Sequence, residues 1–336
     1  MAGPSAVDPA LDDVDAAAAA RGVDRLRAAS AARHGRLPRA AEVPQLFATS
    51  AVDRLLAAAF EMAVADAELR AGQLSLAESL GVGTGFETMP VGAVVGIPAG
   101  HDPGVLRAEV DMAIAEGAAR LRLKIEPSWD TEPVRLVRAE HPELVLQVDA
   151  NGSYRHEPEH VAALTRLSDF GVLCVEQPLP PADLVALAAF AAVLPLPVCL
   201  DESLSTPRRV RDALRNGSCA MACLKPARLG GVSATRSAHA ACAAAGVPVF
   251  VGGFFESGLG RAANLALAAR LSQDATGLVS DLGDPTGYLS LDPCGYPEVA
   301  DGWVHVPTAP GVGKEPREDR LGGLGATRRW VPATYT

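Results

Sequence analysis

RLRLKIEPSWDTEPVRLVRAEHPELVLQVD, residues 120–149, holds one complete unit of this chain: an apolar run closing on Lys124, a helical pattern opening at Thr131, and a second apolar run closing on Asp149. The unit recurs downstream, where VLCVE ends on Glu176, VCLD on Asp201 and MACLK on Lys225. The five charges follow one another at 25, 27, 25 and 24 residues. A strand, a returning helix and two loops take roughly 25–30 residues in a (β/α)8 barrel of about 250 residues, whose functional groups project from the C-terminal strand ends. The beat therefore predicts an α/β protein of the TIM-barrel type with all five charges at one mouth. A doubly wound open sheet offers no comparable reason for a charge at five consecutive strand ends.

Outward from this stretch, MPVGAVVGIPA at 89–99 reads as the first strand, PVFVGGFFES at 248–257 as the seventh and GLVSDLG at 277–283 as the eighth. The gaps between runs carry helical patterns, among them PADLVALAAFAAVL and TPRRVRDALRNG, the latter closing on a glycine. Strands covered by helices on one side and packed inside a barrel are near-continuously apolar, which fits a chain 49% hydrophobic and only 4% aromatic.

At 336 residues the chain can hold one large barrel and a modest accessory region. A formal charge of -10 with no basic block argues against nucleic acid or an anionic membrane surface as partner. The apolar stretch from Leu184 to Leu194 stops at Pro195, short of the roughly 18 residues a spanning helix needs. The acidic start MAGPSAVDPALDD is no signal peptide, so a cytoplasmic protein is expected. Six cysteines without a CxxC pair point to reduced core residues.

Period-two alternation assigns faces. Arg120, Arg122 and Lys124 point inward, as do Val145, Gln147 and Asp149, with Asn151 continuing into the loop; Leu121, Leu123 and Ile125 face the helices. Cys174, Cys199 and Cys223 each sit two residues below a charged strand end and also point inward. Three converging carboxylates repel one another unless a cation neutralises them, and an all-oxygen set without histidine favours Mg2+ or Mn2+ over Zn2+. Two lysines across such an ion fit proton removal beside a carboxylate. A positive charge about 6 Å away at an effective dielectric of about 20 shifts a lysine by roughly 2.8 kcal/mol, or about two pK units, toward a useful base. Arg122 is one source of that charge. A lysine base with Mg2+ is an enolase-type solution to this chemistry.

At these residues the chain resembles the o-succinylbenzoate synthase and N-acylamino acid racemase branch of the enolase superfamily, which is muconate lactonizing enzyme-like. The resemblance rests on LRLKIEPSWDTEPV, LQVDANGSY, VEQPL, CLDES, CLKPARLGG and GGFFESGLGRAAN, in order, and runs from about residue 50 to about residue 316. It implies a capped barrel in which Asp149, Glu176 and Asp201 hold Mg2+, or Mn2+, while Lys124 and Lys225 form the acid/base pair. It places Arg122, Asn151, Glu202, Gly253, Glu256 and Ser257 around the mouth as substrate-binding or supporting residues. It also implies a small-molecule carboxylate as substrate, and homo-oligomers are an open possibility.

The implied organisation is an Ala-rich, mostly helical N-terminal segment at 1–85 standing for a reduced or atypical cap, a barrel domain at 86–310, and a tail at 311–336 packing near the cap. SAVDRLLAAAFEMAVADAELRAGQ at 50–73 is an amphipathic helix on which the resemblance resumes. Two features depart from the family. Arg122 stands where the first lysine of K-x-K is usual, and the first 45 residues show no strand meander, so a shortened cap, an upstream start or lost activity all stay open. Three functions follow as expectations: an o-succinylbenzoate-forming dehydratase of menaquinone biosynthesis, an N-acylamino acid racemase using both lysines, and a non-catalytic metabolite-binding barrel.

Three other signals weigh less. HEPEH at 156–160 matches a zinc-protease pattern, but Pro158 belongs in a first helical turn and leaves His156 outside it. GVGTGF at 81–86 follows no strand and reads as an entry loop. Phe254 and Phe255 either line an apolar pocket or simply pack.

Overall fold

A computed structural model describes residues 16–48, 50–254, 256–274, 277–283 and 291–323. The chain enters through α1 (Ala16–Ala31), a 3-10 turn at Ala40–Leu46, α2 (Ala51–Ala71) and α3 (Leu76–Leu80), with no strand before Thr88 among the described residues. These elements hold a small core of their own from Ala18, Val43, Phe47, Leu56, Ala57 and Val64. Ser50 starts α2 by accepting a hydrogen bond from Asp53 N at 3.1 Å, which supplies a partner for one of the unpaired amides of the first turn.

The run expected as a single first strand divides into β1 (Thr88–Pro90) and β2 (Gly92–Val95), and only β2 joins the barrel. Pro90 has no N–H for a central ladder, so the chain breaks there and β1 becomes the edge of a separate sheet. After β2 come β3 (Arg120–Lys124), β4 (Leu146–Asp149), β5 (Val175–Glu176), β6 (Val198–Leu200), β7 (Met221–Leu224) and β8 (Val249–Val251), all parallel and paired in chain order. Near the C-terminus, β9 (Val299–Ala300) and β10 (Trp303–His305) complete the small antiparallel sheet with β1.

The eighth stave is present as isolated bridges instead of a ladder. Leu278 N donates to Val249 O at 2.9 Å, Asp281 N to Val251 O at 3.2 Å and Gly92 N to Ser280 O at 2.9 Å, so residues 277–281 lie between β8 and β2 and close the ring. Crossovers are made by α4 (Pro103–Ala115), α5 (Thr131–Glu140), α6 (Pro158–Arg166), α7 (Leu184–Ala191), α8 (Pro207–Asn216), the short α9 (Pro226–Leu229) with α10 (Val232–Ala244), and α11 (Gly258–Leu271). A last helix, α12, spans Glu318–Gly323. Because α6 begins at Pro158, His156 lies outside it: His156 packs edge-on to Phe190, and His160 packs against Tyr154.

Side-chain direction follows the alternation, with one correction. Leu121, Leu123 and Ile125 are buried under the helices, and Arg120, Arg122 and Gln147 are buried inside the barrel. Val145 is 46% exposed because β4 begins one residue later, leaving Val145 outside the packed interior. Cys174, Cys199 and Cys223 cluster with Phe250 as the barrel floor. They act as small apolar residues in a tapered space, and burial raises the pKa of Cys199 and Cys223 well above that of a free thiol. At the other end of the chain, Val312 N donates to Asp66 Oδ1 at 2.8 Å and Arg70 Nη2 to Lys314 O at 2.9 Å, tying residues 312–314 to α2.

Candidate active site

Counting β2 as the first stave, Lys124 stands at the end of the second and Lys225 just past the sixth, so the two amines face each other across a ring of eight. Asp149, Glu176 and Asp201 occupy the third, fourth and fifth strand ends between them. Register keeps them level, since Lys124 pairs with Asp149 and Asp149 with Glu176. Each amine holds the outer carboxylate nearest to it: Lys124 Nζ donates to Asp149 Oδ2 at 2.6 Å, and Lys225 Nζ to Asp201 Oδ2 at 2.7 Å.

The carboxylates are almost wholly buried, and their environments differ. Burial opposes the charge of Asp201, but Arg228 and Lys225 outweigh it and hold that carboxyl below its usual range. Asp149 is also lowered, by Lys124 and Arg122 against burial. Glu176 goes the other way, pushed up to about 8 by burial, with Asp149 and Asp201 adding to the rise against Arg122. Lys225 is buried too, yet Asp201 holds its ammonium above the usual lysine value.

Arg122 is the hub of the interior. Its guanidinium donates to Glu176 Oε1 at 2.6 Å, lies 3.5 Å from Asp149 Oδ2 and 3.2 Å from Asp281 Oδ2. A lysine amine at this position has no planar fork with which to serve three carboxylates at once. Asn151 accepts from Lys124 Nζ at 2.6 Å and donates to Glu202 Oε1 at 2.8 Å, so both join the Lys124 side. Gly253 lies where a Cβ would come within 2.6 Å of Asp281 O. Glu256 accepts from Phe254 N at 2.6 Å and Asn264 Nδ2 at 3.2 Å and lies 3.1 Å from Arg261 Nε, and Ser257 is the cap residue of α11. Phe254 lies under the cations, 5.5 Å from Lys225 Nζ and 5.4 Å from the Arg228 guanidinium. Phe255 lies outside the described residues.

Arg228, Asp281 and Arg261 escaped the reading of the sequence, and Arg120, which reads as inward-facing, has no role there. Arg228 bonds Asp201 Oδ1, giving that carboxylate a second cation. Arg120 donates to Asp281 Oδ1 at 2.6 Å, and Arg261 donates to Asp281 O at 3.0 Å. Asp281 had a signal: it ends the eighth run as the other charges end theirs. Arg228 follows Lys225 by three residues, on a helix too short for periodicity to reveal.

A carboxylate oxygen of Glu176, one of Asp201 and Cys223 Sγ lie within 4.8 Å of one another, so this part of the site has the spacing of a cation pocket. Burial and the neighbouring carboxylates raise the pKa of the Cys223 thiol well above its ordinary value, and a hard divalent ion prefers the oxygen donors of Glu176 and Asp201 beside it. Asp149 stands outside that trio, with Oδ2 on Lys124 and Oδ1 accepting from Asn151 N at 3.0 Å.

The barrel aims two opposed amines at one buried acidic centre. The chain belongs to the enolase superfamily: residues 105–320 match the family described as enolase C-terminal domain-like. It is 39% identical over 295 residues to an N-succinylamino acid racemase of an Amycolatopsis species, covering 87% of this chain and 77% of that one. It is 36% identical over 275 residues to the o-succinylbenzoate synthase of Geobacillus kaustophilus, covering 81% of this chain and 71% of that one. Among solved structures, an enolase superfamily member from Listeria innocua superposes with a TM-score of 0.77 at 30% identity, covering 86% of this chain and 76% of its own. No described helix is long and apolar enough to cross a membrane.

Proposed function

We propose that this protein is a Mg2+- or Mn2+-dependent dehydratase of the o-succinylbenzoate synthase type, acting on a small carboxylate in menaquinone biosynthesis. The observation that carries this is the placement of Lys124 and Lys225 on opposite staves with three carboxylates between them. Asp149, Glu176 and Asp201 are the residues that would hold the divalent ion. When bound, that ion supplies positive charge to the substrate carboxylate as negative charge develops on it.

Lys124 is the base. Its side chain is 21% exposed to the mouth against 10% for Lys225, and Asn151 Oδ1 with Asp149 Oδ2 fixes its Nζ. The free amine of Lys124 takes the proton alpha to the carboxylate; the same proton then passes to the departing hydroxyl, which leaves as water. Lys225, clamped with Arg228 on the two oxygens of Asp201, stabilises the developing negative charge from the far side as a fixed cation.

The opposition of the two amines also favours N-succinylamino acid racemisation, in which one lysine removes the alpha proton and the other delivers a proton to the opposite face. Formation of the aromatic product o-succinylbenzoate, and racemisation of N-succinylamino acids, each measured for wild type and Lys225→Ala, separates the two. A dehydratase in which Lys225 only stabilises charge keeps measurable turnover in the variant; a two-base racemase loses racemisation outright. Turnover of neither substrate by the wild type at any divalent-ion concentration would overturn both and leave a binding barrel.

A further inference from the structure

The segment that carries Lys225 is hinged. Lys225 caps the short α9, and Gly230 and Gly231, with φ of 103° and 121°, turn the chain into α10. Both values fall where side-chain-bearing residues are strained. Gly231 occupies the cap position of α10 and has no side chain to receive the first amides of that helix. The missing acceptor comes from a distant part of the chain. Glu61 of α2, buried at 3% exposure, accepts from Ser233 N at 3.0 Å and from the Ser233 hydroxyl. About two helical turns earlier on α2, Arg54 Nε donates to Arg228 O at 2.9 Å.

The approach is close enough to dictate sequence. A Cβ on Gly231 would come within 1.7 Å of Glu61 Oε2 and within 3.5 Å of the Ala58 Cα. Thus α2 grips the hinge at two points, on the α9 side through Arg54 and on the α10 side through Glu61. What it grips is the arm whose two cations, Lys225 and Arg228, share Asp201.

We propose that Glu61 and Arg54 are positioning residues for Lys225: α2 fixes the Arg228–Ser233 hinge and thereby sets where the second amine stands over the acidic centre. This rests on the two-base racemase reading given above, in which Lys225 serves one face of the alpha carbon, and it makes the helix preceding the barrel a determinant of that face only. Lys124, four staves away, has no contact with the hinge among the described hydrogen bonds.

Two measurements on Glu61→Ala, Glu61→Gln and Arg54→Ala test it. In wild-type protein and each variant, alpha-proton exchange of the two enantiomers of an N-succinylamino acid is followed in D2O with Mg2+, the enantiomer served by each lysine being assigned with Lys124→Ala and Lys225→Ala. Glu61→Ala should slow the Lys225-face exchange by about tenfold or more, as a displaced catalytic group does, and change the other face by less than about twofold. Glu61→Gln, which keeps an acceptor oxygen, should recover most of the loss. Equal losses on both faces, or no loss, overturn the proposal. Amide hydrogen exchange supplies a readout independent of turnover: residues 229–235 should exchange faster in Glu61→Ala while β4 and β5 are unchanged. If the wild type exchanges neither enantiomer, the racemase reading fails, and the same amide comparison still decides whether α2 fixes the hinge; unaltered protection there overturns that as well.

Discussion

Arg122 on the second stave and Asp281 on the eighth form a buried ion pair of 3.2 Å, across β2, where the ring closes. Arg120, on the same strand as Arg122, holds the other oxygen of Asp281 at 2.6 Å. Among the described residues the eighth stave contributes isolated backbone bridges and no ladder, and these charges help fix that seam.

Asp281→Ala removes the carboxylate that two buried guanidinium groups share. Breaking a buried pair by removing one partner costs about 3–5 kcal/mol, so the variant should lose that much unfolding free energy in a urea titration with activity falling in parallel. Loss below about 1 kcal/mol would mean that the seam does not depend on this residue.

Arg122→Lys keeps the charge and loses the planar fork. A single ammonium cannot reach Glu176, Asp149 and Asp281 together, so kcat should fall by about tenfold while the fold persists by circular dichroism. Unchanged kcat with lysine present would show that charge alone suffices at this position.

Much of this was legible in advance, because a barrel writes its site into the strand ends. Lys124, Asp149, Glu176, Asp201 and Lys225 each close an apolar run, and the spacing alone put them at one mouth. The break at Pro90 escapes that reading: residues 89–99 read as one strand, although Pro90 cannot donate to a central ladder and β1 and β2 fall in different sheets. Arg228 and Glu61 were not legible for different reasons. Arg228 lies on the four-residue α9, shorter than any periodicity, and Glu61 is a charged residue on a helix whose pattern cannot say that its carboxylate will be buried as a cap for a helix 172 residues away. Pairings at that sequence distance are set by packing.

Glu176→Gln removes a carboxylate from the proposed cation site. Mg2+ affinity measured by titration calorimetry should fall by more than the roughly 10–100-fold typical of residues that only support a ligand. Affinity within about twofold of wild type would exclude Glu176 as a ligand.

His239 on α10 is buried beside Asp274 and Arg270, and burial, aided by Arg270 against Asp274, lowers its pKa below the usual histidine value. A depressed histidine binds fewer protons in the folded than in the unfolded protein, so its contribution is full above the unfolded pKa of about 6.5 and is lost as pH falls through the folded one. His239→Gln should therefore narrow the drop in urea midpoint between pH 7 and pH 5. An identical drop in both proteins would contradict the assignment.

The most direct test is alpha-proton exchange in D2O with Mg2+ present, using separated enantiomers of an N-succinylamino acid. Wild-type protein should exchange both. If both lysines act as bases, Lys124→Ala and Lys225→Ala should each abolish exchange of a different enantiomer, by about 100-fold or more, the usual contribution of a positioned base. Retention of both exchanges in either variant, or loss of the same one in both, would show that the two lysines do not address one carbon from opposite sides.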